Sequence, residues 1–299
     1  MSTHAPRSRR SRVLRSPGWP AALALLLAGT LACQRESVFS DPAHAAALRI
    51  ASDVDANQLQ THVAALLAER QSEQPTPSPY WRNMPLRRSH AAEYIDRTLH
   101  ADGYTPIHEF DEQNGVTTEN IYTDIVGSTH PFEYVLVTGH YDNWHLGADD
   151  NASAVAVLLH TAHLWVGKRP ARTIRIVAFD REEEGLTGSE RFASLHAGDN
   201  ITAVLNMDCV AFSNHAPGSQ SAPPGLDLRS VGDFLAVLAS DAGVRPLSQV
   251  ARLAPQLPRP VDMLGLIAPG DGHNAGAAAF LRSDHAPFWR RGMPALFFT

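Results

Sequence analysis

Residues 181–190 read REEEGLTGSE and follow the strand-like run TIRIVAF, residues 173–179. Upstream, His140 closes YVLVTGH, and Asp150 stands in GADDNASA, where a helical pattern opens. Downstream, Asp208 closes AVLNMD and His285 sits in SDHAPF. Taken singly, each residue has a plain reading. His140 would be a loop histidine, Asp149 and Asp150 a helix cap, and Glu182, Glu183 and Glu184 a solvated turn. Together, two imidazoles and several carboxylates stand where strands end or helices begin, which is the ligand set of a two-metal hydrolase. One of two adjacent glutamates can hold metal while its neighbour faces a water molecule as general base. A carboxylate such as Asp150 at a helix start can bridge two ions. Asp208 at the end of an apolar run is costly unless paired or coordinated. Asp142, two residues past His140, is placed to hold the other imidazole nitrogen. Asp150, Glu183 and Asp208 carry three negative charges, which two Zn²⁺ and a hydroxide neutralise. The mixture of imidazole and carboxylate suits zinc, with cobalt or manganese as substitutes.

Other templates fail. The chain has no HExxH, no GxSxG and no Walker loop, and Gly270-Asp271-Gly272 does not continue into a dinucleotide fingerprint. His160 and His163 fall deep in a helical pattern and read as structural. His273 in a glycine-rich stretch and His145 are the rival histidines, and Cys209 reads as a small hydrophobe.

The elements that position these residues alternate. Helices are expected over 57–70, 89–100, 151–165, 189–196 and 233–240. Strands are expected over 106–110, 120–126, 132–137, 173–179, 203–207 and 294–298. Residues 71–79, 211–225 and 253–276 read as loops rich in turn-forming residues. The order predicts one α/β domain, residues 34–299, with a central, mostly parallel mixed sheet flanked by helices on both faces, a three-layer sandwich. Ligands then bind beyond the carboxyl ends of the strands.

Residues 1–33 read as an export segment, with five arginines before the apolar run from Trp19 to Ala32. Leu31-Ala32-Cys33 resembles a lipoprotein cleavage site with Thr30 out of pattern, so Cys33 is a candidate lipidation and membrane-attachment point. Arg9-Arg10 is a weak twin-arginine signal. The expected location is the periplasm, a bacterial membrane through Cys33, or the outside of the cell. The whole chain carries a formal charge of −6, and losing those five arginines deepens it to −11. An acidic exported protein is a poor nucleic-acid binder. With Cys33 and Cys209 as the only cysteines, no disulfide framework is available once the segment is processed.

From Asn120 onward the chain resembles exported bacterial dizinc aminopeptidases of the leucyl aminopeptidase type, related to glutamate carboxypeptidase-like proteins and to glutaminyl cyclases. GHYD, GADDNASA, EEEGLTGSE, NMD and SDHAPF carry the resemblance, in that order. It implies one zinc on His140 and Asp208, a second on Glu183 and His285, and Asp150 bridging them. Glu182 becomes the base and acid, with Glu184 at a variable position. It also implies peptide substrates with a free N-terminus. Ala154 stands where the family usually has glycine, and Asn143 where it often has serine. Family members continue past the last strand, so a C-terminal truncation at Thr299 is expected. The alternatives are a glutaminyl cyclase-like acyltransferase on the same fold and a non-catalytic binding domain. EEEGLTGSE and GADDNASA favour the peptidase over the first, and the full ligand set favours it over the second.

Overall fold

The computed structural model describes residues 12–15, 42–75, 86–221, 229–268, 270 and 279–299. The apolar run 19–32, Cys33 and His273 lie outside them. In chain order the elements are β1 (Arg12–Arg15), α1 (Pro42–Ser52), α2 (Ala56–Ser72), α3 (Ser89–Ala101), β2 (Ile107–Gln113), β3 (Val116–Ile125) and β4 (His130–His140). There follow α4 (Ala152–Leu164), β5 (Arg172–Phe179), α5 (Thr187–Leu195), β6 (Asn200–Met207), β7 (Leu235–Ala239), α6 (Val244–Leu253), β8 (Met263–Ile267), α7 (Ala286–Arg290) and β9 (Ala295–Phe298). Among the described residues no helix is long and apolar enough to cross a membrane.

The strands form one sheet in the order β1-β8-β7-β9-β6-β4-β5-β3-β2. β5, β4, β6 and β9 run parallel in its middle, and β3 and β7 pair antiparallel to that block on either side. The carboxyl ends of the four central strands therefore lie along one edge. The β2–β3 hairpin turns on Asn114-Gly115, whose positive φ values of 56° and 75° suit a two-residue turn between twisted strands.

Alternation along the strands builds both faces. Val177 and Phe179 of β5 join one core with Phe192 of α5 and Phe288 and Trp289 of α7. Ile176 and Ala178, one residue out of step, join the opposite core with Leu66 of α2, Ile95 of α3 and Val155 and Leu158 of α4. A third cluster packs α6 against β7 and β8 through Leu247, Val237 and Met263. This is the three-layer α/β architecture expected.

One expected element is wrong. Residues 233–240, read as a helix, contain β7. LAVLA is short, apolar and without helical breaks, so periodicity cannot separate the two states. Pairing decides it: β7 takes β8 on one side and β9 on the other. The 253–276 stretch read as loop contains β8, whose residues are all buried. α6 was missed as well.

Candidate metal centre

β4, β5 and β6 deliver His140, the 180–184 turn and Asp208 to the same sheet edge. Two non-glycine residues take left-handed backbone beside them: Arg181 before Glu182 (φ 54°) and Cys209 after Asp208 (φ 58°). Such conformations are strained and persist only where the surroundings hold them. α4 brings Asp150 in through a tight loop. Gly147 in that loop has φ +56°, and a Cβ there would meet the Asp150 carbonyl oxygen at 1.9 Å. No other residue fits.

His140 is 1% exposed. Its Nδ1 donates to the Asp142 main-chain carbonyl at 3.1 Å. Its Nε2 faces Asp150 Oδ1 at 3.3 Å, Asp208 Oδ1 at 3.7 Å and Glu182 Oε2 at 3.9 Å. Nevertheless Nε2 is buried without a hydrogen-bond partner. Two donors each about 2.0–2.1 Å from one tetrahedral ion lie about 3.3–3.5 Å apart. The His140–Asp150 distance matches that of two ligands on one divalent cation, and the Asp208 and Glu182 oxygens stand a few tenths of an ångström farther from Nε2. The donor atoms of His140, Glu182 and Asp208 form one group within 4.8 Å, and those of Asp150, Asp208 and Cys209 form another. Asp208 belongs to both.

His285 is fully buried, and its ring is set the same way. Nε2 donates to the Phe280 carbonyl at 2.6 Å, and Nδ1 is left buried without a partner. The ring stacks on Phe297 at 4.4 Å with Trp289 against its edge. A histidine with one nitrogen fixed on a carbonyl and the other bare is oriented as metal-ligating histidines are.

The electrostatics report too much negative charge in too little water. Burial raises Glu182 well above its usual range, with Asp284, Asp208 and Asp142 adding to the rise and His140 opposing it. Glu183 is pushed up to about 7, chiefly by burial. Burial would lower His140, but the Glu182 charge and the nearby carboxylates of Asp142, Asp150 and Asp208 raise it well above its usual value. Asp208 moves the other way: burial works to raise it, and its pairing with His140 brings it below the usual value. Burial, with the Arg290 charge adding to it, takes His285 down to about 3 against the Phe280 hydrogen bond and Asp208, which raise it. The donor set fits bound divalent zinc, which would relieve the carboxylate repulsion and take up both bare imidazole nitrogens.

Not every expected residue falls where it was placed. Asp142 was expected to hold His140 through its carboxylate. The short contact is instead with its main-chain oxygen, and the carboxylate stands at 3.5 Å. The Asp142 carboxylate receives the Glu182 and Glu183 amides at 3.0 and 3.3 Å, fastening the glutamate turn. Glu182 converges with His140 and Asp208, whereas Glu183 and His285 lie outside both donor groups. Glu184 pairs with Arg181, away from the centre. His160 accepts a hydrogen bond from the Asp55 amide at 3.1 Å and serves structure.

Asp284 escaped sequence reasoning. It is fully buried, both carboxylate oxygens lack partners, and burial lifts it to about 7. Its place directly before His285 was the available signal. Asp180 also escaped. It is buried at the end of β5, where it pairs with Arg88 and accepts the Glu119 amide.

Residues 120–253 match the model of Peptidase family M28. A probable zinc metalloprotease of Pyrenophora tritici-repentis is 34% identical over 116 residues, 35% of this chain and 27% of that protein. The chain thus spans about a quarter of the length of the first curated relatives it matches. An aminopeptidase from Aneurinibacillus sp. strain AM-1 matches in structure with TM-score 0.58 at 14% identity, over 83% of this chain and 86% of that one. An Acidobacteriales bacterium glutaminyl cyclase matches with TM-score 0.53 at 15% identity, over 81% and 76%. At those identities the likeness is one of fold. His140, Asp150, Glu182, Glu183 and Asp208 all fall within the stretch that matches the model of Peptidase family M28.

Proposed function

We propose that the protein is a zinc-dependent exopeptidase that removes N-terminal residues from peptides. The observation that carries this reading is the bare, buried Nε2 of His140 facing oxygens of Asp150, Asp208 and Glu182. On this reading His140 and Asp208 would hold one ion and Glu183 and His285 a second, with Asp150 available to both. Bound zinc would supply Lewis acidity toward the scissile carbonyl and toward water. Glu182 takes the proton of the attacking water and returns it to the departing amine. Asp142 keeps Glu182 in place through the Glu182 amide. The remaining carboxylates at the sheet edge bind the substrate's free ammonium group, which restricts cleavage to the chain terminus. Export, with attachment to a membrane through lipidated Cys33, belongs to the same reading.

Metal analysis and a panel of aminoacyl-nitroanilides test it. Purified protein is expected to hold close to two zinc per chain, to hydrolyse several of the panel, and to lose activity to a chelator. One zinc, unchanged by added metal, with cyclisation of N-terminal glutamine, would replace this reading with the glutaminyl cyclase one.

A further inference from the structure

Arg70 stands in the last turn of α2, outside the 120–253 family region, and is fully buried. Its Nη2 donates to the Tyr141 carbonyl at 2.8 Å, and its Nη1 donates to the Leu146 and Gly147 carbonyls, each at 2.9 Å. Tyr141 follows His140. The Gly147 carbonyl also receives the Ala152 amide, just past Asp150. One guanidinium therefore closes both ends of the irregular segment that joins His140 to Asp150. From the other side Arg87 binds the same segment, pairing its main chain with Asn143 and donating to the Trp144 carbonyl at 3.1 Å.

We infer that Arg70 is a positioning residue for the metal centre, setting the separation of His140 and Asp150 by clamping three carbonyls of the loop between them. The inference rests on the zinc reading above. The physical case has three parts. Buried loop carbonyls need donors, and here no strand supplies them. A planar guanidinium reaches three carbonyls from one rigid fork, which a lysine ammonium cannot match. The buried cation also stands among Asp142, Asp150, Glu73 and Glu183, the charges that favour keeping it ionised against the pull of burial, which lowers it to about 10.

The test compares Arg70→Lys with Leu66→Ala, which opens a cavity one turn before Arg70 on the same face of the helix without removing any of its donors. Zinc affinity is read by chelator competition, cobalt coordination by the visible spectrum of the substituted protein, and stability by unfolding of the metal-free form. Arg70→Lys is expected to weaken zinc binding roughly 10–100-fold and to alter the cobalt spectrum. Leu66→Ala is expected to lower stability while leaving both unchanged. If Arg70→Lys does not fold, Arg70→Gln, which keeps one donating amide, takes its place under the same expectation. Equal loss of zinc affinity in Leu66→Ala, or no loss in the folded Arg70 variant, overturns the proposal. Wild-type protein that takes up no zinc overturns the metal reading itself, before Arg70 is tested.

Discussion

The two histidines of the centre are mounted alike and surrounded differently. Each commits one ring nitrogen to a main-chain carbonyl and leaves the other buried and bare. His140, however, faces three carboxylates, whereas His285 lies in an aromatic slot between Phe297 and Trp289. Their acidities diverge accordingly, His140 driven up and His285 down to about 3. Without metal, His140 can answer the surrounding charge with a proton. His285 can only wait as a neutral base. One half of the centre is held ready by charge and the other by packing, so different substitutions should damage each.

The largest effect expected is on chemistry common to both halves. Glu182→Gln should lower kcat about 10²–10⁴-fold with zinc content retained, because a general base is lost and not a ligand. Steady-state kinetics beside metal analysis checks this. If Glu184→Gln is the inactivating change instead, the glutamate register is off.

The packed half should break through its walls. Phe297→Ala is expected to cost about 3–5 kcal/mol of stability in denaturant unfolding. It should also free the His285 ring, loosening one metal while the His140 metal stays. Equal loosening of both ions would erase the distinction between the halves.

Substitution of the histidines themselves sharpens the comparison by stoichiometry. On the two-zinc reading, His140→Ala and His285→Ala should each drop bound zinc from two per chain to one, measured after dialysis against trace zinc. A His285→Ala protein that keeps two ions removes His285 from the ligand set.

The smallest effect concerns a histidine clasped by carboxylates with no metal in view. His108 on β2 bonds Asp96 at 2.9 Å and Glu119 at 2.8 Å. Burial lowers its pKa, but the two carboxylate hydrogen bonds outweigh it and the net shift is upward. Its stabilising contribution is therefore full below the unfolded value of about 6.5 and is lost as pH rises through the higher folded value. The stability gap between wild type and His108→Gln should shrink from mildly acidic to alkaline pH, equally with and without zinc. A gap that grows with pH reverses the sign.

Much of the central sheet was legible because its strands are apolar runs closed by a charged or imidazole residue, as in YVLVTGH and AVLNMD. α4 was legible from its unbroken apolar pattern. The far side of the sheet was not. LAVLA has no periodicity long enough to exclude a helix, and β8 lies between proline- and glycine-rich stretches that read as loop. α6 carries Pro246 in its first turn, where proline is tolerated, yet proline invites a loop reading. At the centre, residue types were readable but partners were not. Asp142 looked like a support for His140, and only the turn geometry shows its carboxylate receiving two amides. Arg70 gave no signal, since a basic residue in a helix's last turn is what the helix dipole favours in any case.

The end of α2 carries two neighbouring duties that reach beyond that helix. While Arg70 grips the loop, Glu73 at the C-cap accepts the amides of Arg88, Ser89 and His90 and so seats the start of α3. The stretch that matches the family model, residues 120–253, is thus smaller than the stretch that these contacts tie together. Transplanting it alone into another scaffold would carry along His140, Asp150 and the glutamates. It would leave the Tyr141 and Leu146 carbonyls without their Arg70 donors, and it would leave His285 behind. For this protein, recombination at residues 120 and 253 should fail where recombination that also keeps α2 and His285 with that stretch preserves the clamp.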